Sequence, residues 1–252
     1  MKKTIKLPSF LKPLYETDLI RLGGIADGGY IIPEKSVKMT EILYSFGLST
    51  DWSFEEAIYK EIKPKIYCYD HTVSWKTFFK SFTEYPQIIF HYFKYKNFFN
   101  NKDRFHIKKR ISPKGSYNYS HDENITEDIN SIINLAKERS IMLKIDIEGD
   151  EYRILEQIKK NSHLFNCLII EFHNVDLHLD KISNFINKFD LQLVHLHVNN
   201  WSMISPVDVP RALELTFSPQ EFNKKITVEK KYPSTLDKPN NINHEDLEIK
   251  FI

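Results

Sequence analysis

The sequence predicts an α/β fold, a mostly parallel sheet with helices on both faces. Three observations predict it. Short apolar runs alternate with amphipathic stretches of ten or more residues, as parallel strands joined by crossover helices require. The runs are apolar almost throughout, as strands covered on both faces must be. Titratable residues gather where those runs end, which is where open α/β sheets bind ligands.

In chain order, "EILYSFG" (41–47) reads as a strand closing on Gly47. "STDWSFEEAIYKEI" (49–62) follows as a helix, with Ser49, Thr50, Asp51 and Ser53 as cap candidates. "KIYCYD" (65–70) is a strand ending on Asp70. Residues 75–100 are unusually aromatic, and Pro86 splits them into two helix-like stretches that read as an insertion, a lid or an oligomer face. "RFHIKKRIS" (104–112) alternates as a strand should. "NITEDINSIINLAKERS" (124–140) has a helical period with Thr126 as its cap, "IMLKID" (141–146) is a buried strand, and "GDEYRILEQIKK" (149–160) is a helix. Its first-turn acids Asp150 and Glu151 complement the helix dipole. "NCLIIEF", the helix "DKISNFINKF", "LQLVHLHV" and, after the Pro206–Pro210 loop, "RALELTF" complete the pattern. No helix separates the last two strands, so they are expected to pair antiparallel. The C-terminal "YPSTLDKPNNINHEDLEIKFI" reads as a surface wrap.

The chain of 252 residues, 41% hydrophobic and 27% charged, fits one soluble domain over 1–252. A net charge of +1 gives no general pull toward nucleic acid. No apolar run is long enough to span a bilayer, so stable membrane insertion is not expected. The basic start lacks a continuous apolar core and is interrupted by Pro8 and Pro13, which reads as cytoplasmic. Cys68 and Cys167 sit inside apolar runs and read as reduced core residues.

The strand ends carry the chemistry. They are Gly47, Asp70, Asp146 with Glu148, Glu171 with His173, and His195 with His197. A glycine lets backbone approach a ligand, and an acid one strand later suits a ribose diol; a plain strand-to-helix turn would look similar. Asp146 and Glu148 share an i, i+2 relation, as do Glu171 and His173, so acids and an imidazole converge on adjacent strands. That set suits a divalent cation or a general base. Asn199 and Asn200 donate and accept at once, which suits sugar hydroxyls, although asparagines also serve turns.

These residues resemble the FkbM-type methyltransferases. "LKIDIEGDEYRIL" looks like the central motif of that group. "DGGYIIP" (27–33), "YSFGLSTDWSFEEAI" (44–58), "YCYDHT" (67–72), "IIEFH" (169–173), "HLHVNN" (195–200), "LELTF" (213–217) and "LDKPNN" (236–241) follow the same order over nearly the whole chain. The resemblance implies a Rossmann-like class I methyltransferase fold with a seven-stranded sheet, an antiparallel last strand and S-adenosylmethionine as cofactor. It carries Gly47 over as the methionine-side glycine and Asp70 as the ribose acid, with Ser49, Asp51 and His71 beside them. Asp27, Gly28, Gly29 and Tyr30 would form a flap within an N-terminal segment of about 1–40. Related sugar O-methyltransferases hold a divalent metal, Mg or Mn, at places matched here by Asp146, Glu171 and His173. The implied reaction is methylation of a sugar hydroxyl in bacterial capsule or surface-polysaccharide biosynthesis, on a free or nucleotide-activated sugar. Asp146, His173 and His197 are then the catalytic candidates, and Glu148, Asn199 and Asn200 the acceptor-binding ones. The aromatic insertion allows a homodimer. A metal-dependent hydrolase, or a non-catalytic sugar- or partner-binding module, would use the same acids and histidines differently.

Overall fold

The computed structural model describes residues 4–79, 88–116, 125–133, 136–201, 209–227 and 230–252. At its centre is a seven-stranded sheet. Its strands, labelled in chain order, are β1 Ile42–Phe46, β2 Lys65–Tyr69, β3 Arg104–Ile107, β4 Ile141–Ile145, β5 Phe165–His173, β6 Gln192–Val198 and β7 Ala212–Ser218. They lie in the order β6-β7-β5-β4-β1-β2-β3. β7 is antiparallel to both β5 and β6, and every other pairing is parallel. This is the Rossmann-like class I methyltransferase fold expected from the sequence. The chain turns outward in opposite directions from β1 and β4, so a crevice opens between their carboxyl ends.

Alternate strand residues feed two separate cores, because side chains on a strand point to opposite faces. On one face Tyr44, Leu143, Leu168 and Ile170 pack against Ile154 and Ile158 of helix α3 (Glu151–Lys160) and Phe185 of helix α4 (Val175–Lys188). On the other, Leu43, Ile66, Met142 and Ile169 pack against Phe54 and Ile58 of helix α1 (Ser53–Ile62) and Tyr95 and Phe98 of helix α2 (Ile88–Phe99). Cys68 and Cys167 are buried in that second core and form no disulfide.

Several elements differ from their sequence expectation. The strand expected at 104–112 is two strands, Arg104–Ile107 and Arg110–Ile111. The helix expected from 124 begins at Ile129, because Thr126 and Glu127 form a short strand beside Arg110 and Ile111. Asp128, not Thr126, serves that helix start, accepting the Asn130 N–H at 2.8 Å. The helix expected at 180–189 begins earlier, at Val175. The aromatic segment forms helices Trp75–Phe79 and Ile88–Phe99; Pro86 between them, and residues 206–208 of the proline loop, lie outside the described residues.

The C-terminal segment is anchored, not draped. Glu248–Phe251 pairs in parallel with Thr4–Leu7, and Tyr232, Asp237, Asn240 and Asn241 are buried. Asp237 Oδ1 lies 2.9 Å from His195 Nε2. Asn240 donates to Glu214 Oε1 at 2.6 Å and to Asp27 Oδ1 at 3.2 Å, which ties the tail to the N-terminal hairpin.

Candidate active site

The crevice begins at Gly47. Its φ is +82°, and a Cβ there would collide with the backbone oxygen of Asp146, so only glycine lets the ends of β1 and β4 run this close. Lys144 Nζ donates to the Gly47 carbonyl at 2.7 Å. A cavity of about 220 Å³ lies here, lined by Gly47, Ser49, Asp70, His71, Asp146 and Glu148 among others. Asp70 shapes its wall. Oδ2 accepts the N–H groups of Leu48 and Ser49, both at 2.9 Å, and Oδ1 accepts the Thr72 N–H at 2.8 Å and its hydroxyl at 2.6 Å. Burial would raise the Asp70 pKa, but these bonds outweigh it and hold the group below its ordinary value. A ribose hydroxyl would have to compete with Thr72 for Oδ1.

The segment expected to form a flap contains the antiparallel hairpin Leu19–Gly23 with Gly29–Pro33. Gly28, at φ +74°, has no room for a side chain because the Asp51 carboxylate fills that space. Ser53 Oγ donates to the Gly28 carbonyl at 3.2 Å, and Asp51 Oδ1 accepts the Ser53 N–H at 2.8 Å. Gly28 and Asp51 therefore fasten this hairpin to the start of α1, and neither Gly28, Gly29 nor Asp51 lines the cavity at β1 and β2. Tyr30 and Asp27 point toward the acids: the Tyr30 hydroxyl lies 3.5 Å from Asp146 Oδ2.

A second cavity, of about 360 Å³, adjoins the first and is lined by Asp27, Asp146, Glu148, Glu171, His173, Asn199, Trp201 and Ala212. Asp146 and Glu148 line both. His173 Nε2 lies 3.8 Å from Asp146 Oδ1, 3.6 Å from Glu171 Oε1 and 3.5 Å from Glu148 Oε2. One ligand atom from each of Asp146, Glu171 and His173 falls within 4.8 Å of the others. Glu171 accepts a hydrogen bond from Asn199 Nδ2 at 2.8 Å, and Asn199 Oδ1 accepts the Trp201 N–H at 2.9 Å. Burial first, then the crowding of like charges, raises Asp146 and pushes Glu171 well above the usual carboxylate range; Lys144 and His173 oppose the rise at Asp146. For His173 burial disfavours the proton, but the Glu151 hydrogen bond and the nearby acids outweigh it and raise the pKa.

Three residues here escaped the sequence reading. Glu151 is the acid of the first turn of α3, as expected, but it is also a buried brace. Its Oε1 accepts the N–H groups of Ile147 and Gly149 at 3.2 and 3.1 Å and lies 3.0 Å from His173 Nδ1. With Glu151 on Nδ1, the other ring nitrogen of His173 faces the acids. Lys144 is fully buried among Glu55, Asp146 and Glu171; burial lowers its pKa, yet these acids together raise it. Trp201, 60% exposed, stands at the mouth of the second cavity. The signal for Trp201 was present in "HVNNW", one residue past the asparagines.

Two expected site residues belong elsewhere. His197 is buried with Nδ1 3.1 Å from Glu214 and Nε2 3.1 Å from Asp246, so neither ring nitrogen is left for catalysis. Asn200 is not an acceptor ligand: Nδ2 donates to the carbonyls of Asn241 and His244, and Oδ1 accepts the Asn241 N–H at 2.6 Å. Both residues hold the C-terminal segment. Burial lowers the His197 pKa, but Asp246 and Glu214, with Asp237 nearby, raise it well above 6.5. A histidine with a raised folded pKa contributes stability fully below its unfolded value and loses it as pH rises through the folded value. His197→Gln is therefore expected to lower the melting temperature most below the ordinary histidine value of about 6.5, with the gap to wild type narrowing as pH rises through the raised folded value. A gap that widens with pH would contradict the charged His197 clamp.

No protein-family model and no curated protein sequence matches the chain. Among solved structures it is similar to an rRNA methylase from Streptococcus thermophilus, at 13% identity over 74% of this chain and 91% of that one, with a TM-score of 0.40. It is similar to precorrin-6y C5,15-methyltransferase from Geobacter metallireducens, at 9% identity over 73% of this chain and 84% of that one, TM-score 0.39. It is also similar to methyltransferase FkbM from Methylobacillus flagellatus, at 14% identity over 70% of this chain and 43% of that one, TM-score 0.38. The fold itself is defined by the strand order.

Proposed function

We propose that the protein is an S-adenosylmethionine-dependent O-methyltransferase that methylates a sugar hydroxyl, of the kind used in bacterial surface-polysaccharide assembly. The observation that carries this reading is the pair of adjoining cavities sharing Asp146 and Glu148. One lies at the ends of β1, β2 and β4, where doubly wound sheets take nucleoside cofactors. The other offers carboxylates, an imidazole, an amide and an exposed tryptophan, a lining that suits a polyhydroxylated ring.

The residues fit the cofactor at its cationic end. S-adenosylmethionine would supply an electrophilic methyl group on a positively charged sulfur. Asp146 and Glu148 place negative charge there, and Gly47, Ser49 and His71 line the rest. The fit is weaker at Asp70, whose oxygens already accept four hydrogen bonds from the loop.

Transfer of that methyl group to the acceptor oxygen would release the hydroxyl proton, which a residue of the chain must take up. Asp146 sits at the junction of the cavities and would take that proton. Its raised pKa makes it a stronger base than an ordinary aspartate. Glu151 orients His173, and Asn199 orients Glu171. Trp201 offers a ring face to the sugar.

Asp146, Glu171 and His173 present two carboxylates and one imidazole, a donor set that suits Mg or Mn. A bound divalent cation would polarise the acceptor hydroxyl and ease its ionisation. Equilibrium dialysis with Mn is expected to show one site per chain, weakened about tenfold or more in Glu171→Gln. Equal Mn retention by that variant would remove the metal from the account. The reaction itself is tested by incubating the protein with S-adenosylmethionine and a panel of sugars and nucleotide sugars, followed by mass spectrometry. The expected product is an acceptor heavier by one methylene unit. Hydrolysis of an acceptor without methylation would favour the hydrolase instead.

A further inference from the structure

Helix α2 reads IIFHYFKYKNFF, apolar on nearly every side. A helix of that composition is ordinarily buried all round. Here only one side is. Tyr95 and Phe98 enter the second core, whereas Phe90 and Phe93 are 72% and 62% exposed. They stand one turn apart, and exposed Lys94 and Asn97 continue the same face, with exposed Lys96 beside it. The short helix Trp75–Phe79 packs on α2 through Phe78, whose ring lies 5.5 Å from Tyr92 and 5.0 Å from Tyr95. It adds exposed Trp75 and Lys76. Neither 75–79 nor 88–100 contains an Asp or Glu.

We propose that this aromatic and basic face docks the protein onto an anionic lipid surface, with α2 lying in the plane of the interface. Exposed aromatic rings beside lysines are the pattern that settles at headgroup level, with apolar groups inserted and cations on anionic lipid. Twelve residues of helix cover about 18 Å, too little to span a bilayer of about 30 Å. No helix among the described residues is long and apolar enough to cross a membrane, so the contact is peripheral.

Charge argues against a second copy as the occupant. A two-fold contact through this face would bring one basic face onto another, with no acid from α2 to pair the lysines. Charge also argues against a nucleic-acid strand, which is bound in a cationic groove. Lys94 and Asn97 line a cavity of about 410 Å³ with His91 and Arg104, but Asp51 and Glu56 line it too, and Arg104 lies over the rings of Tyr59 and Phe98, at 4.1 and 4.5 Å.

The inner side of α2 reaches the first cavity's loop. His91 Nε2 lies 2.7 Å from the Thr50 carbonyl, and its ring packs at a tilt against Trp52, with centroids 4.6 Å apart. A membrane-seated α2 would thus hold the loop that leaves Gly47 close to the lipid surface, where a lipid-linked acceptor would be presented. The docking itself stands on α2 alone and does not depend on methyl transfer.

The test is flotation of the full chain with vesicles of phosphatidylcholine containing about one third phosphatidylglycerol, beside pure phosphatidylcholine vesicles and a single-stranded RNA oligomer. Expected is salt-sensitive flotation with the anionic vesicles only. The pairs Phe90→Ser/Phe93→Ser and Lys94→Glu/Lys96→Glu should each weaken it about tenfold or more. The substituted groups are exposed, so circular dichroism and S-adenosylmethionine binding should match wild type, which separates this outcome from failure of the methyltransferase reading. No flotation, flotation unchanged in both pairs, or RNA binding without vesicle binding would each overturn the proposal. So would a dimer, seen by light scattering, that either pair dissociates.

Discussion

Asp146→Asn is expected to lower methyl transfer by about 10²- to 10⁴-fold while leaving S-adenosylmethionine binding within a few-fold of wild type. The asparagine keeps the size of the side chain and its place beside Tyr30 and His173 but cannot take up the hydroxyl proton. Asp146 lines both cavities, and burial has made it a stronger base. Glu148 also lines both, but its side chain is 85% exposed and its φ of +55° places it on the loop beyond β4. Glu148→Gln should therefore cost much less turnover. The pair is checked by steady-state kinetics alongside calorimetric cofactor binding. Equal losses in both variants would move the base away from Asp146.

Lys144→Met is expected to destabilise the fold by about 3–5 kcal/mol, a fall in melting temperature on the order of 10 °C. The lysine is the buried cation among three acids, with Glu55 its strongest partner, Asp146 next and Glu171 further off. Glu55 is fully buried and accepts a hydrogen bond from Ser45 Oγ at 2.5 Å. Removing the ammonium leaves that carboxylate in a dry core without compensation and takes the donor from the Gly47 carbonyl. The second change Glu55→Gln should restore part of the loss, because it removes the orphaned charge. Thermal unfolding of the two single variants and the double variant measures this coupling. Additive losses would show that Lys144 and Glu55 do not act as a pair.

The parts of the site that follow from strand polarity were legible in the sequence. Asp146, Glu171 and His173 could be placed together because adjacent parallel strands bring their ends side by side. Asp70 could be placed for the same reason. Lys144 could not, since one lysine within an apolar run gives no sign that three acids surround it. Glu151 read as a dipole-compensating acid because nothing local shows that the first turn of α3 folds back against His173. His197 and Asn200 looked like site residues for the opposite reason. Their partners Asp246 and Asn241 lie 49 and 41 residues further along the chain, and only the folded tail reveals them. Thr126 shows a different limit. A helical period ran through it, but pairing with Arg110 drew the segment into a strand.

The central claim is that the crevice between β1 and β4 binds S-adenosylmethionine beside an acidic acceptor cavity. Isothermal titration of the wild-type protein with S-adenosylmethionine tests it most directly, with chelator present so that no metal contributes. The account predicts one site per chain with a dissociation constant on the order of 1–100 μM. It also predicts that Gly47→Val removes the binding, because the added side chain has no room against Asp146. Absence of binding at about 1 mM cofactor, or unchanged binding in Gly47→Val, would contradict it.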